Sequence, residues 1–242
     1  MLKPLAIDLF CGLGGWTDGL IAEGYDVIGF DIERHEYGDH RYAGQLVIQD
    51  VLTLHGSQFA DASLIVASPP CQGYSYRAMP WSRAKALPPP DNALFESCFR
   101  IQREACEAAG KHIPLIVENV RGAQPWVGRA RWNYGSFYLW GDVPALMPLA
   151  FNAMKAPTGG KLNWSDYGKP GYKALAFNDM AEAGLKQRGD WFAEARKGGA
   201  GGTSASFGSK SRQRKQASAL IAKIPLPLSR YIAATFKTGA PC

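Results

Sequence analysis

Residues 5–15, Leu5-Ala6-Ile7-Asp8-Leu9-Phe10-Cys11-Gly12-Leu13-Gly14-Gly15, decide the fold of this chain. A short apolar run breaks into a glycine turn, and Trp16 to Glu23 then has helical spacing up to a natural stop at Gly24. The same alternation continues outward. Tyr25 to Phe30 reads as a second strand closed by Asp31, Leu46-Val47-Ile48 as a third followed by Asp50, and Leu64-Ile65-Val66-Ala67 as a fourth cut off by Ser68-Pro69-Pro70. Asn92 to Ala109 is a long amphipathic helix, and Ile113 to Val117 is a fifth strand ending at Glu118-Asn119. Strand, helix, strand at this spacing predicts an α/β fold, a mostly parallel sheet with helices on both faces. Ligands of such sheets bind at the carboxyl ends of the strands. Asp8, Asp31, Asp50, Cys71 and Glu118 all fall in or just after a strand, so one edge can collect them.

The chain has 242 residues, 46% hydrophobic, 12% aromatic and 20% charged, enough to bury a core and unlike a disordered or collagen-like sequence. No stretch approaches the ~20 apolar residues of a membrane helix, and the N-terminus reads as no secretory signal. Five cysteines, without a C-x-x-C pair or a zinc-spaced His/Cys group, argue against a disulfide scaffold or a structural zinc. The expectation is a reduced, cytoplasmic protein without metal. The net charge of +6 is uneven: residues 1–185 hold 16 Lys and Arg against 19 acids, and residues 186–242 hold 11 against 2, a net of +9. That asymmetry fits a polyanion such as nucleic acid, and fits a solvated basic tail equally well.

Beyond residue 121 the sequence is rich in Gly, Pro, Trp and Tyr with little periodicity, and a strand-like Tyr134 to Trp140 closes the first domain. Lys197 to Ser206 has linker composition and leads to the basic run Ser209 to Lys215, then to the apolar segment Ala217 to Phe236. The expected organisation is a domain over residues 1–144, a small irregular lobe over 145–205, and a basic segment with a returning helix over 206–242.

Three places carry chemistry. The glycine turn lets a nucleotide-like ligand approach the backbone, and Asp31 at the next strand end suits ribose hydroxyls. Alone the turn is equally a tight βα connection; with Asp31 and Asp50 a nucleoside pocket is the better reading. In Ser68-Pro69-Pro70-Cys71-Gln72 a diproline fixes a cysteine rigidly at a strand end, where its thiol can serve as a nucleophile. Cys11, Cys98 and Cys106 read instead as small buried hydrophobes. Glu118 follows an apolar strand; partial burial would raise its pKa and make it a proton donor, the alternative being a capping or salt-bridged carboxylate.

Together these stretches resemble the cytosine-C5 DNA methyltransferases of phage and bacterial type. Asp8 to Gly15 looks like their motif I, Pro69-Pro70-Cys71-Gln72-Gly73-Tyr74-Ser75 their motif IV, and Glu118-Asn119-Val120 their motif VI. Asp31 and Asp50 stand at the motif II and III positions, and Asp91 to Phe95 resembles motif V. The resemblance covers roughly the first half of the chain. It implies a Rossmann-like methyltransferase sheet, S-adenosylmethionine as cofactor, double-stranded DNA as partner with the target base flipped out, and a monomer. By the same resemblance the catalytic residues are Cys71, Gln72, Glu118, Arg129 and Arg131. Cofactor contacts fall to Phe10, Gly12, Gly14, Asp31, Ile32, Asp50, Val51, Pro70 and Leu94. Gly73 to Pro90, with Arg77, Trp81, Arg83 and Lys85, would be a mobile loop over the base, and Ser75 would face a phosphate. An RNA cytosine-C5 methyltransferase and a catalytically lapsed DNA-binding relative stay open as alternatives.

The pattern then departs. Arg129-Ala130-Arg131 keeps both arginines of the family's Gln-x-Arg-x-Arg without the Gln, and a plain basic turn is an equal reading. Residues 145–205, with Trp164, Tyr167 and Tyr172, would form a short target-recognition region, though these aromatics read first as a small local core. Ile221 to Leu228 resembles motif X with Ala222-Lys223 in place of Gly-Asn; Lys223 is expected to point to solvent, the alternative being that it faces the cofactor's sulfonium, which it would repel.

Overall fold

The computed structural model describes residues 3–37, 40–75, 88–147, 219–220 and 222–237. Seven strands form one sheet: β1 (Leu5–Leu9), β2 (Asp26–Asp31), β3 (Gln45–Ile48), β4 (Leu64–Ala67), β5 (Leu115–Asn119), β6 (Trp132–Tyr134) and β7 (Phe137–Gly141). Their order is β3-β2-β1-β4-β5-β7-β6, with β1 to β5 parallel and the β6–β7 hairpin antiparallel at the edge. This is the mostly parallel α/β sheet that the alternating pattern predicts, with the Rossmann-like order that the resemblance implies. The expected single strand Tyr134 to Trp140 is instead part of that hairpin. Gly135, at φ +59°, supplies the positive dihedral that a two-residue turn requires, and Tyr134 pairs with Phe137 across it.

Period-two alternation sorts the strand residues into two layers. Ile7 and Leu9 of β1, with Ile65 and Ala67 of β4, join the core under α2 (Ala93–Ala109), whose Phe95, Cys98, Ile101 and Ala105 are buried. Asp8 takes the opposite face, beneath α1 (Gly15–Ala22), where the Thr17 hydroxyl reaches its Oδ2 at 2.6 Å. Tyr42 completes this group: its hydroxyl lies 2.7 Å from Thr17 Oγ1, and its ring fills the space that Cβ atoms on Gly14, Gly29 and Gly44 would need. Asp8 is fully buried and its Oδ1 has no hydrogen-bond partner. Burial, aided by repulsion from Asp31 and Asp18 and opposed by the bonds to Thr17, pushes its pKa up to about 7.

At eight residues α1 is too short to stand by itself. It leans on α3 (Leu226–Phe236), more than 200 residues away in sequence. Two glycines permit the close approach: a Cβ on Gly15 would lie 2.3 Å from the Ile224 backbone nitrogen, and one on Gly19 would lie 2.2 Å from Ser229 Oγ and 2.6 Å from the Arg230 nitrogen. The Tyr25 hydroxyl donates to the Ala233 carbonyl at 3.0 Å, and Arg230 Nε pairs with Glu23 at 2.7 Å. Met1–Pro148 and Lys223–Cys242 belong to one compact unit, and Leu149–Ala222 to a second. Residues 76–87 of the expected Gly73 to Pro90 loop, residues 148–205 of the expected 145–205 recognition region, the linker and the basic run lie outside the described residues. Among the described residues, no helix is long and apolar enough to cross a membrane.

Two outcomes follow from this packing. Alanine in place of a mid-helix glycine ordinarily stabilises by about 0.5–1 kcal/mol, but Gly19→Ala drives a methyl into the α3 backbone, where overpacking costs about 1–3 kcal/mol. The expected result is a lower Tm in a thermal melt, not a higher one. Asp8 titrates higher in the folded chain than in the unfolded one, so its contribution to stability is complete below the ordinary value near 3.8 and is lost as the pH rises to about 7. Urea denaturation between pH 4 and 7 should show that decline, and Asp8→Asn should flatten it.

Candidate active site

The carboxyl ends of β1, β2, β4 and β5 meet at one edge, and backbone hydrogen bonds carry the strand register beyond the strands themselves. Cys11 N–H donates to Phe30 O at 3.1 Å and Ser68 N–H to Leu9 O at 3.1 Å. The turn after β1 is built from left-handed residues: Gly12 at φ +51°, Gly14 at +73°, and Phe10 at +57°. Phe10 is the only non-glycine residue with positive φ among the described residues, in a region that disfavours a side chain. Gly12 N–H donates to Asp31 Oδ2 at 2.8 Å, which ties the turn to the end of β2.

Asp31 is 8% exposed. Burial alone would push its pKa up, but the hydrogen bonds from His35, Gly12 N–H and Glu33 N–H outweigh it and hold the carboxyl below the ordinary value. His35 Nε2 lies 3.4 Å from Asp31 Oδ1, and its Nδ1 lies 3.8 Å from Glu33. Next along, Ile32 is 70% exposed, a large apolar side chain offered to solvent beside that carboxylate. Asp50 follows β3 and caps a short 3-10 turn, accepting from Leu52 N–H at 2.9 Å. Val51 is buried among Phe30 and Phe59 in the core, while Leu52 is exposed. Leu94 is half-buried in the first turn of α2.

Open space surrounds the position of a Gly12 Cβ. A glycine turn with that opening, acidic acceptors at the next two strand ends and exposed apolar side chains beside them fits a group with hydroxyls and a flat ring. Adenosine is such a group, and Asp31, Asp50, Ile32 and the Phe10–Gly14 turn are the residues that would hold it.

Cys71 stands half-buried four residues past β4. The preceding Pro69 is buried, and its carbonyl accepts Asn119 Nδ2–H at 2.9 Å. Asn119 ends β5, directly after Glu118, which is 8% exposed. Since Ala67 pairs with Val117 in parallel, the segments carrying Cys71 and Glu118 leave the sheet side by side. Trp16 Nε1–H donates to Ser68 Oγ at 3.0 Å, fixing the loop from the α1 side. Tyr74, buried, donates its hydroxyl hydrogen to Asn92 Oδ1 at 2.9 Å and so joins the loop to the start of α2. Pro70 and Gln72 are exposed, and Ser75 is half-buried.

The other cysteines behave differently. Cys11 and Cys98 are buried, and burial pushes both thiols far above their ordinary value. Cys106 packs against the core and accepts Ile113 N–H. Arg129 and Arg131 are exposed on the segment entering β6, where Gln124 Oε1 accepts Ala130 N–H at 3.2 Å. Among the described residues, no group of three or more His, Cys, Asp or Glu side chains is placed to hold a metal.

Three supporting residues escaped the sequence reading: His35 against Asp31, Tyr74 behind Cys71, and Asn119 on the Pro69 carbonyl. Asn119 and Tyr74 gave a signal only as members of the stretches that carry Glu118 and Cys71, and His35 gave none. Lys223 is a fourth case. It does not point to solvent; its Nζ lies 2.7 Å from Asp18 Oδ2 in the first turn of α1.

Residues 5–124 match the model of the C-5 cytosine-specific DNA methylase family. A solved DNA modification methyltransferase encoded within an E. coli prophage is 27% identical over 50% of this chain and 33% of its own, at a TM-score of 0.36. The Entamoeba histolytica methyltransferase EhMeth is 19% identical over 52% of this chain and 41% of its own, at 0.36. The S. pombe Dnmt2 methyltransferase is 12% identical over 96% and 98%, at 0.44. The chain thus spans about a third of the length of the prophage enzyme it matches. No curated protein matches it. The match runs through β1 to β5 and the loops at their carboxyl ends, and it identifies this stretch of the chain, residues 5–124, with the C-5 cytosine-specific DNA methylase family.

Proposed function

We propose that the chain transfers a methyl group to C5 of cytosine in double-stranded DNA. The observation that carries this is the pairing of two strand ends, the diproline loop of Cys71 and the Glu118-Asn119 end of β5, joined by the Asn119–Pro69 hydrogen bond. Cytosine C5 is a weak nucleophile. Thiolate attack by Cys71 on C6 turns C5 into an enamine carbon that can take a methyl group. Glu118, largely shielded from water, is suited to hold N3 and the exocyclic amine and to stabilise the charge that develops on the ring. After transfer, loss of the C5 proton to water lets the C6–S bond break and returns Cys71. S-adenosylmethionine supplies an electrophilic methyl group when bound.

The remaining roles belong to the same reading. Asp31 and Asp50 receive ribose hydroxyls, the Phe10–Gly14 turn and Ile32 enclose the adenosine, and Leu94, Val51 and Pro70 shape the pocket from behind. Gln72 sits beside the nucleophile, and Arg129 and Arg131 contact base and phosphate. A base stacked in a duplex must be flipped out before Cys71 can reach C6, at a few kcal/mol. The region 145–205 reads the target, and the +9 segment draws in the polyanion.

Purified protein incubated with S-adenosylmethionine and unmethylated duplex should yield 5-methylcytosine by nucleoside mass spectrometry, and Cys71→Ser should abolish it. Product on transfer RNA but not on duplex DNA would reassign the substrate; none on either would remove the enzyme reading. Glu118→Gln should bind the cofactor as tightly as wild type while losing most of its turnover. Near-normal turnover would take Glu118 out of the mechanism.

A further inference from the structure

We propose that Asp18 is a charge-screening residue of the cofactor site: by pairing with Lys223 it cancels an ammonium that the C-terminal segment brings against the glycine turn, and so keeps the site receptive to a cationic sulfonium donor. The proposal rests on the reading that the Phe10–Gly14 turn holds that donor.

The C-terminal segment touches the turn through backbone. Ile224 lies so near Gly15 that no Cβ fits between them, and Gly15 directly follows the turn. Lys223, the preceding residue, therefore enters beside the N-terminus of α1. That is the wrong place for a cation, because the first turn of a helix already presents positive partial charge. The ammonium is nevertheless held there, 30% exposed, on an Asp18 carboxylate that is 35% exposed.

Asp18 is also electrostatically joined to the turn from behind. It follows Thr17, which is bonded to Asp8, and its charge contributes to the raised pKa of Asp8. A half-exposed ion pair adds little to stability, so its main consequence is local potential. With Asp18 in place the pair is neutral; without it, an unpaired positive charge stands beside the first turn of α1, one residue from the backbone that packs on Gly15. S-adenosylhomocysteine, the demethylated thioether, carries no charge on sulfur and reports everything about the pocket except that interaction.

The test is calorimetric titration of S-adenosylmethionine and S-adenosylhomocysteine into wild type, Asp18→Asn, Lys223→Met and the double variant. Asp18→Asn should weaken the sulfonium ligand about three- to tenfold more than the thioether. The double variant, neutral at both positions, should keep the wild-type ratio, and Lys223→Met, which leaves the Asp18 carboxylate unpaired, should tilt it toward the sulfonium ligand. Lys223→Glu, which does not depend on Asp18→Asn folding, should tilt it the same way as Lys223→Met. If Asp18→Asn shifts both ligands by one common factor, or Lys223→Glu leaves the ratio unmoved, the pair is a structural latch and the screening role falls. If wild type binds neither ligand, the cofactor reading itself falls and takes this proposal with it, an outcome visible before any variant is made.

Discussion

A strand that runs between two parallel neighbours, with helices over both faces, can place polar side chains only at its ends. β1 is such a strand: it pairs with β2 on one side and β4 on the other, and α1 and α2 cover its two faces. Every residue of β4 and β5 is buried as well. Because β1, β2, β4 and β5 all point the same way, their ends share an edge, and the chemistry of the chain has one place to gather. The bonds from Cys11 to Phe30, Ser68 to Leu9 and Gln49 to Asp31 extend the register into the loops, so the sheet aims the site residues and does not merely carry them.

Asp8 breaks that constraint, since it sits inside β1 and not at its end. A charged carboxylate there lacks water and has one good partner, Thr17. The Thr17 hydroxyl owns a single hydrogen. When it serves Asp8, the Tyr42 hydroxyl must donate to Thr17; when Asp8 is protonated, the chain can run the other way and end on Tyr42. Links of 2.6 and 2.7 Å accommodate either direction. The glycines at 14, 29 and 44 make room for the Tyr42 ring, so the polar group and the glycine pattern are one arrangement seen from two sides.

Much of this was legible in the sequence, for a physical reason. Buried parallel strands are continuous apolar runs, and an acidic residue or a Pro-Pro-Cys at the end of such a run marks the edge before any coordinates exist. The Tyr134 to Trp140 segment misled because its apolar residues run on across the turn; only Gly135 marks the reversal. Tyr42, His35 and Lys223 left no periodic trace. Each acts through side-chain contacts made outside regular elements or across long sequence separations, and a periodic pattern along the chain does not encode such contacts. Lys223 shows this most clearly: its expected solvent exposure followed from its type, and its partner Asp18 lies 205 residues earlier.

The loop of Cys71 shows how little is needed to fix a short segment at a strand end. Pro69 and Pro70 have no N–H to give, so no carboxylate or carbonyl can anchor them by accepting a hydrogen bond. What remains is the ring constraint on two φ angles and the carbonyl oxygens. Asn119 takes the one at Pro69, while its own Oδ1 accepts Val120 N–H at 2.8 Å and holds the amide in orientation. Behind the loop, the Tyr74 carbonyl sits against Gly122, just past the end of β5, so closely that a Cβ there would lie 2.2 Å away. Two short segments thus clasp each other by an amide and a missing side chain. In Glu118-Asn119 the division of labour is between neighbours: the carboxylate is proposed to meet the base, and the amide sets where the thiol stands.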